Sequence, residues 1–227
     1  GATRAQAESA LLRFLAALPS RPRMLVARPG FHAASDAPPE GFIIPAQVNY
    51  VGKGCNLHAQ PGRITGHAIV ASRYLRTAWL WDQVRVQGGA YGGFCAIDYR
   101  TNQMTMTSYR DPNTTRTLEI YDKSGPYLKE LRADRDEIDR AVIGAIGDFD
   151  SYLLPDAKGY LSMCRHLAGD SDERRQLLRD QILSTTLDHF HAFGAELGAL
   201  TRHGQVAVLG AREALLTIPG IELKPLL

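Results

Sequence analysis

This chain lacks the marks of a self-sufficient catalyst. His189 and His191 lie two apart, so on a helix they point in different directions. His32, His58, His67, His166 and His203 have no Cys, Glu or His at ligand spacing. Neither H-E-x-x-H nor H-x-x-E-H occurs, which leaves zinc without a binding motif here. No elbow motif presents a nucleophile: Ser108 ends an expected strand and Cys95 sits in apolar company, and both read as core residues. Phosphate loops run from a strand into a helix N-terminus. Gly88, Gly89, Gly92 and Gly93 instead fall between a helix and a strand, and Gly52-Lys53-Gly54 lacks P-loop flanks. That order argues against nucleotide binding.

Other shortages bound the compartment and the partners. The three cysteines, Cys55, Cys95 and Cys164, are odd in number and far apart, so a disulfide framework is not expected. A reducing compartment, cytoplasm or organelle matrix, is expected instead of secretion. No apolar stretch approaches the roughly 18 residues of a membrane span, and the N-terminus lacks a signal-peptide pattern. Charge bias is also missing. Lys plus Arg number 26 against 24 acids, a net charge of +2, which gives no reason to expect nucleic acid or an anionic membrane.

What is present is ordinary globular composition, 44% hydrophobic and 22% charged over 227 residues. One substantial domain over 1–227 with a real core is expected. The opening directly on a helix suggests a piece of a longer protein. Residues 4–18 place Ala7, Ala10, Leu11, Phe14, Leu15 and Leu18 at helical spacing, stopped by Pro19. A short strand is expected over 24–27, an irregular proline-bearing connection over 28–46 with a brief strand at 42–44, and an alternating strand over 47–51 ending at Gly52-Lys53-Gly54. The stripe Ile64, Ala68, Ala71, Leu75, Ala78, Trp79 predicts a helix over 64–83. Strands 92–98 and 104–109 flank a polar turn, an antiparallel hairpin.

The second half reads as helical. Asp111-Pro112-Asn113 looks like a capped helix start running toward Tyr121. Asp134 with Glu137 has capping-box spacing, and 155–167 is bracketed by Pro155 and Gly169. Ser171 opens what reads as one long helix to about Leu200, with a strand at 205–209 and a short helix at 211–217. The sum is α+β, a mostly antiparallel sheet with helices packed on one face.

The most informative stretch, 80–113, delivers Arg85 at a helix end and Tyr91 just past a Gly88-Gly89 corner. Glycines there allow a sharp turn and close approach of another backbone. An arginine and a tyrosine on such a corner suit a site that grips a peptide backbone. Taken residue by residue, Arg85 equally reads as a salt-bridged surface residue and Tyr91 as a core ring.

Several segments resemble the C-terminal part of the presequence-protease branch of pitrilysin-type zinc metallopeptidases. They are QVNYVGKG at 47–54, LWDQVRVQGGAYGG at 80–93, SYRDPN at 108–113, AVIGAIGDFDS at 141–151, the KGYLSMCRHLAGDSDERRQ stretch and RDQIL at 179–183. The resemblance implies the metallohydrolase fold shared with the mitochondrial processing peptidase, and a full enzyme whose two halves close on short unstructured peptides. It implies that zinc is bound by an N-terminal half absent here, so that this chain alone holds no catalytic metal and is inactive. It further implies that Arg85 and Tyr91 complete the site across the chamber, binding substrate and stabilising the tetrahedral intermediate. Gly88, Gly89, Asn49 and Tyr50, with Val48, are expected beside the substrate. A competing reading is a non-catalytic structural or peptide-binding subunit that pairs with an active partner.

Overall fold

The computed structural model describes residues 3–19, 37–59 and 62–225. The expected strand at 24–27 lies outside the described residues. The chain divides into two units, residues 1–34 and 35–227. In the first, α1 (Arg4–Ala17) begins at a reciprocal capping box. Gln6 N–H donates to the Thr3 hydroxyl, and Thr3 N–H donates to the Gln6 side chain.

The second unit is built on a six-stranded sheet. Its strands are β1 (Glu40–Ile43), β2 (Tyr50–Asn56), β3 (Gly92–Asp98), β4 (Gln103–Tyr109), β5 (Gln205–Gly210) and β6 (Glu222–Pro225), in the order β3-β4-β2-β5-β1-β6. The pairings β3–β4, β4–β2 and β2–β5 are antiparallel, and β1 runs parallel to both β5 and β6. The sheet is thus mostly antiparallel, as the pattern predicted. The β3–β4 hairpin turns through Asn102, whose φ of 61° asparagine tolerates better than most residues. β6 carried no sequence signal, being four residues ending in a proline on the sheet edge.

One face of the sheet is covered. Val51, Cys95, Met104, Met106 and Val208 point into the core beneath α2 (Gly66–Thr77), α3 (Thr115–Glu130) and α8 (Gly198–His203). Behind them pack α4 (Arg135–Phe149), α6 (Asp172–Leu183) and α7 (Leu187–Glu196). The alternate residues Phe94, Ala96, Thr105, Thr107 and Ala207 remain exposed on the other face. α9 (Arg212–Leu215) packs on β1 and β5. α5 (Pro155–Ala168) has no buried residue and ends on Gly169 at φ 69°. No helix among the described residues is long and apolar enough to cross a membrane.

Four boundaries differ from expectation, each for a local reason. β2 does not end at its glycines but runs through them. A Cβ on Gly54 would come within 3.0 Å of the Met104 carbonyl, so glycine lets the strands pair closely. The helix expected over 64–83 stops at Thr77 and is followed by a π-helical turn over Trp81–Val86. Asp111 does not cap a helix at Pro112. Its backbone pairs with Asn49, and α3 starts three residues after Pro112, then continues to Glu130 with Pro126 inside it. The single helix expected from Ser171 to Leu200 is three. The Ser184 and Thr185 hydroxyls take the carbonyls of Asp180 and Gln181, and Thr186 starts α7 with a reciprocal bond to His189.

Candidate functional site

The site grows out of the π-turn. Wide turns of this kind insert one extra residue and recur at functional positions. Val84 is buried and anchors the turn, which leaves Arg85 and Val86 projecting outward. The chain then folds back sharply: Gly89 N–H donates to the Arg85 carbonyl at 3.0 Å, and Ala90 N–H to the Val84 carbonyl at 3.1 Å. Any side chain at Gly88 would sit 2.5 Å from the Val84 carbonyl, and Gly89 has φ 79°. Both positions therefore need glycine. The Asn113 amide holds the corner by donating to the Gly88 carbonyl at 2.7 Å.

This corner brings Arg85 and Tyr91 together. The guanidinium carbon lies 4.0 Å from the centre of the Trp81 ring and 5.9 Å from that of Tyr91. Cation–π attraction thus orients Arg85 between two rings. Tyr91 meets Tyr109 edge-on at 5.8 Å, and Tyr109 meets Tyr50 edge-on at 5.4 Å. The result is a row of four aromatic rings and one cation. Tyr91 is 67% exposed, and among the described residues no hydrogen bond or ion pair occupies its hydroxyl or the Arg85 guanidinium. Arg85, Tyr91, Arg110, Val48 and Val86 line an open concavity of about 490 Å³ together with Gly89 and Ala90.

The residues singled out from sequence are sorted by this geometry. Arg85, Tyr91 and Gly89 share the concavity, Val48 joins them, and Gly88 supports it from a buried position. Tyr50 is half-buried and touches the row only through Tyr109. Asn49 is a correction: at 4% exposed it cannot line a groove. Its side chain donates to the Asp111 carbonyl at 3.0 Å, inside a backbone bridge of 2.7 and 2.8 Å. Asp111 is fully buried, and its carboxylate accepts from Asn113 N–H at 2.9 Å and the Thr117 hydroxyl at 2.7 Å. Together the two residues fix the segment that presents Arg110.

Three residues were missed. Arg110 carries φ 50° and faces the same concavity as Arg85. Strained backbone of this kind clusters at working sites. Tyr109 completes the aromatic row. Trp81 stacks on Arg85, and the signal was there: an aromatic four residues before a cation on a helix shares its face.

The titratable groups behind the corner are held neutral. Burial pushes the Cys95 thiol up to about 12 and raises the Tyr121 phenol, whose hydroxyl donates to the Val51 carbonyl. Among the described residues, no group of three or more His, Cys, Asp and Glu could hold a metal ion. His67 and His189 stack at 3.6 Å, but the Nδ1 atoms of both are engaged by threonines. The described residues do not fit a zinc site.

Comparison with known proteins decides the family. The model of the PreP C-terminal domain matches residues 39–211, which encloses the whole corner and the aromatic row. The chain belongs to the PreP C-terminal domain family. It is 46% identical over 174 residues to presequence protease 1, chloroplastic/mitochondrial, of Arabidopsis thaliana, an alignment covering 77% of this chain and 16% of that protein. The chain thus spans less than a fifth of the length of that relative. The fold recurs in a protease from Helicobacter pylori, with a TM-score of 0.69 and 14% identity over 92% of this chain and 53% of that one. It recurs also in a peptidase M16 inactive domain from Pseudomonas fluorescens, with a TM-score of 0.63 and 17% identity over 100% of this chain and 53% of that one. The resemblance read from the six segments and the α+β architecture are both borne out.

Proposed function

We propose that this chain is the C-terminal part of a metalloendopeptidase that degrades short unstructured peptides, and that Arg85 and Tyr91 complete its reaction site. The meeting of these two groups on one open concavity, with their polar ends unoccupied, is the observation that supports this reading. The Tyr91 hydroxyl donates a hydrogen bond to the oxyanion that develops on a peptide carbonyl. The Arg85 guanidinium donates its fork of N–H groups to substrate carbonyls or a carboxylate. Trp81 and the glycine corner hold both groups in place before substrate arrives, so little ordering is left for the reaction itself.

The zinc implied by the family resemblance is assigned to the N-terminal half of the parent protein, together with the attacking water. That half and the peptide are the partners of this chain. The compartment is proposed to be a reducing one, cytoplasm or organelle matrix, in keeping with three unbridged cysteines.

The test is Tyr91→Phe in the full-length protein, assayed on a short unstructured peptide. Loss of one oxyanion donor is expected to lower kcat by about 10²–10³ with KM little changed. A kcat within twofold or so of the parent would remove Tyr91 from that role.

A further inference from the structure

We propose that the edge of β3 is a peptide-binding track that leads from the Arg85–Tyr91 corner to a basic pocket selecting acidic residues. The inference rests on the reading of this domain as part of a peptidase, and it adds a second recognition site to that reading.

β3 is an edge strand among the described residues, so one side of its backbone is open to pairing with an extended chain. Tyr91 precedes one end of the strand and Tyr99 follows the other. The strand rises roughly 20 Å between its first and last residues, the span of about six extended peptide units. Alongside it runs a groove of about 320 Å³ whose walls include Ile69, Cys95, Ile97, Ala145 and Phe149. Arg73 and Arg76 stand on its helical side and share a single acid, Asp148, at 2.9 and 3.6 Å.

Past Tyr99 the groove shares Phe149 with a second concavity of about 470 Å³, between the end of α4, α5 and α6. Lys158, Arg165 and Arg175 converge there. Its one acid, Asp150, is already bound to Arg179 at 2.6 Å. Asp170 is buried, accepting from the Tyr99 hydroxyl. Arg175 lies 4.5 Å over the Phe149 ring and Lys158 5.9 Å from the Tyr152 ring, so aromatic faces hold both cations in position. Three cations facing one lining acid that is already paired, at the end of an open strand edge, are complementary to a carboxylate on an extended peptide. The occupant is therefore the acidic side chain of a bound peptide, six or seven residues from the part that lies at Tyr91.

The probes are fluorescein-labelled, C-terminally amidated ten-residue peptides carrying a Glu pair at either end, and matched peptides with Gln pairs. Anisotropy titrations of this chain at low ionic strength, where screening is weak, are expected to show the Glu form binding about tenfold tighter at one placement. Lys158→Gln with Arg165→Gln, both on the outlying α5, should abolish that preference while leaving the thermal unfolding curve unchanged. N-methylation of alternate peptide amides should abolish binding along the strand edge. Equal affinity for Glu and Gln forms, survival of the preference in the double variant, or undiminished binding of the N-methylated peptide each overturns the inference. The preference is expected to persist in Tyr91→Phe. Failure of the kcat test therefore removes the catalytic reading alone, and loss of the Glu preference removes this one alone.

Discussion

Arg110 places backbone strain at the edge of the proposed site. Its φ of 50° is left-handed, a conformation that costs an L-residue other than glycine about 1 kcal/mol. The cost is retained because the Asn49–Asp111 bridge fixes the next residue and the guanidinium faces the concavity. Arg110→Gly should relieve the strain and raise stability by about 1 kcal/mol, or roughly 2–4 °C in Tm for a domain of this size. The same change should lower kcat/KM in the full-length protein; unfolding curves and peptide kinetics on one preparation check both halves. Sequence drew attention to Arg85 and Tyr91 because they stand six positions apart around a Gly-Gly corner, and the family resemblance supplied their expected role. Arg110 offered no such clue, since nothing in S-Y-R-D-P-N announces a positive φ. Asn49 misled for the opposite reason: beside a functional motif it looked exposed, and only the long-range bridge to Asp111 buries it.

Between elements, the closest approaches are made by glycine. Where α3 crosses α7, Gly125 and Gly194 face each other. A Cβ on Gly194 would sit 2.8 Å from the Gly125 carbonyl and 3.0 Å from Leu128 Cβ. Gly159, inside α5, has open space around it. The two positions should answer alanine with opposite signs. Gly194→Ala should destabilise by about 1–3 kcal/mol through overpacking, and Gly159→Ala should stabilise by about 0.5–1 kcal/mol through lost unfolded-state entropy. Urea midpoints of the two variants measure the contrast. Element type was legible wherever periodicity and caps agreed, as at Asp134 and Pro155. It failed where tertiary contacts outvoted local pattern. Serine and threonine hydroxyls closed α6 in the middle of an unbroken helical stretch, and strand pairing drew β2 through two glycines that looked like a stop.

At the scale of the whole molecule, buried phenols set the alkaline limit. Burial, followed by the hydrogen bond to Glu137, raises the Tyr74 phenol, and burial raises Tyr121. Above about pH 10 the unfolded chain ionises these groups while the folded chain keeps its protons. The unfolded state then binds fewer protons, so stability is fully present below about pH 10 and falls by up to about 1.4 kcal/mol per pH unit for each residue above it. Denaturant midpoints across that range should show the slope, and Tyr74→Phe should reduce it. A second expectation concerns metal: the purified chain should carry no stoichiometric zinc by elemental analysis and hydrolyse no peptide, and a chain that does either would contradict the division of labour proposed above. The α+β class and the covered sheet face were readable from alternation and helical stripes. The parallel placement of β1 was not, because it depends on β5, more than 150 residues away in the chain.

The uncovered side of the sheet has its own consequence. Across its middle, Gly52, Gly54, Ala96, Ala207, Thr105 and Thr107 give it little beyond main chain, methyl groups and small hydroxyls, with larger side chains such as Phe94 and Tyr109 kept toward one end. A wall so plain has few means of telling one visitor from another. Discrimination then falls to the corners of the molecule, and the broad surface between them stays permissive.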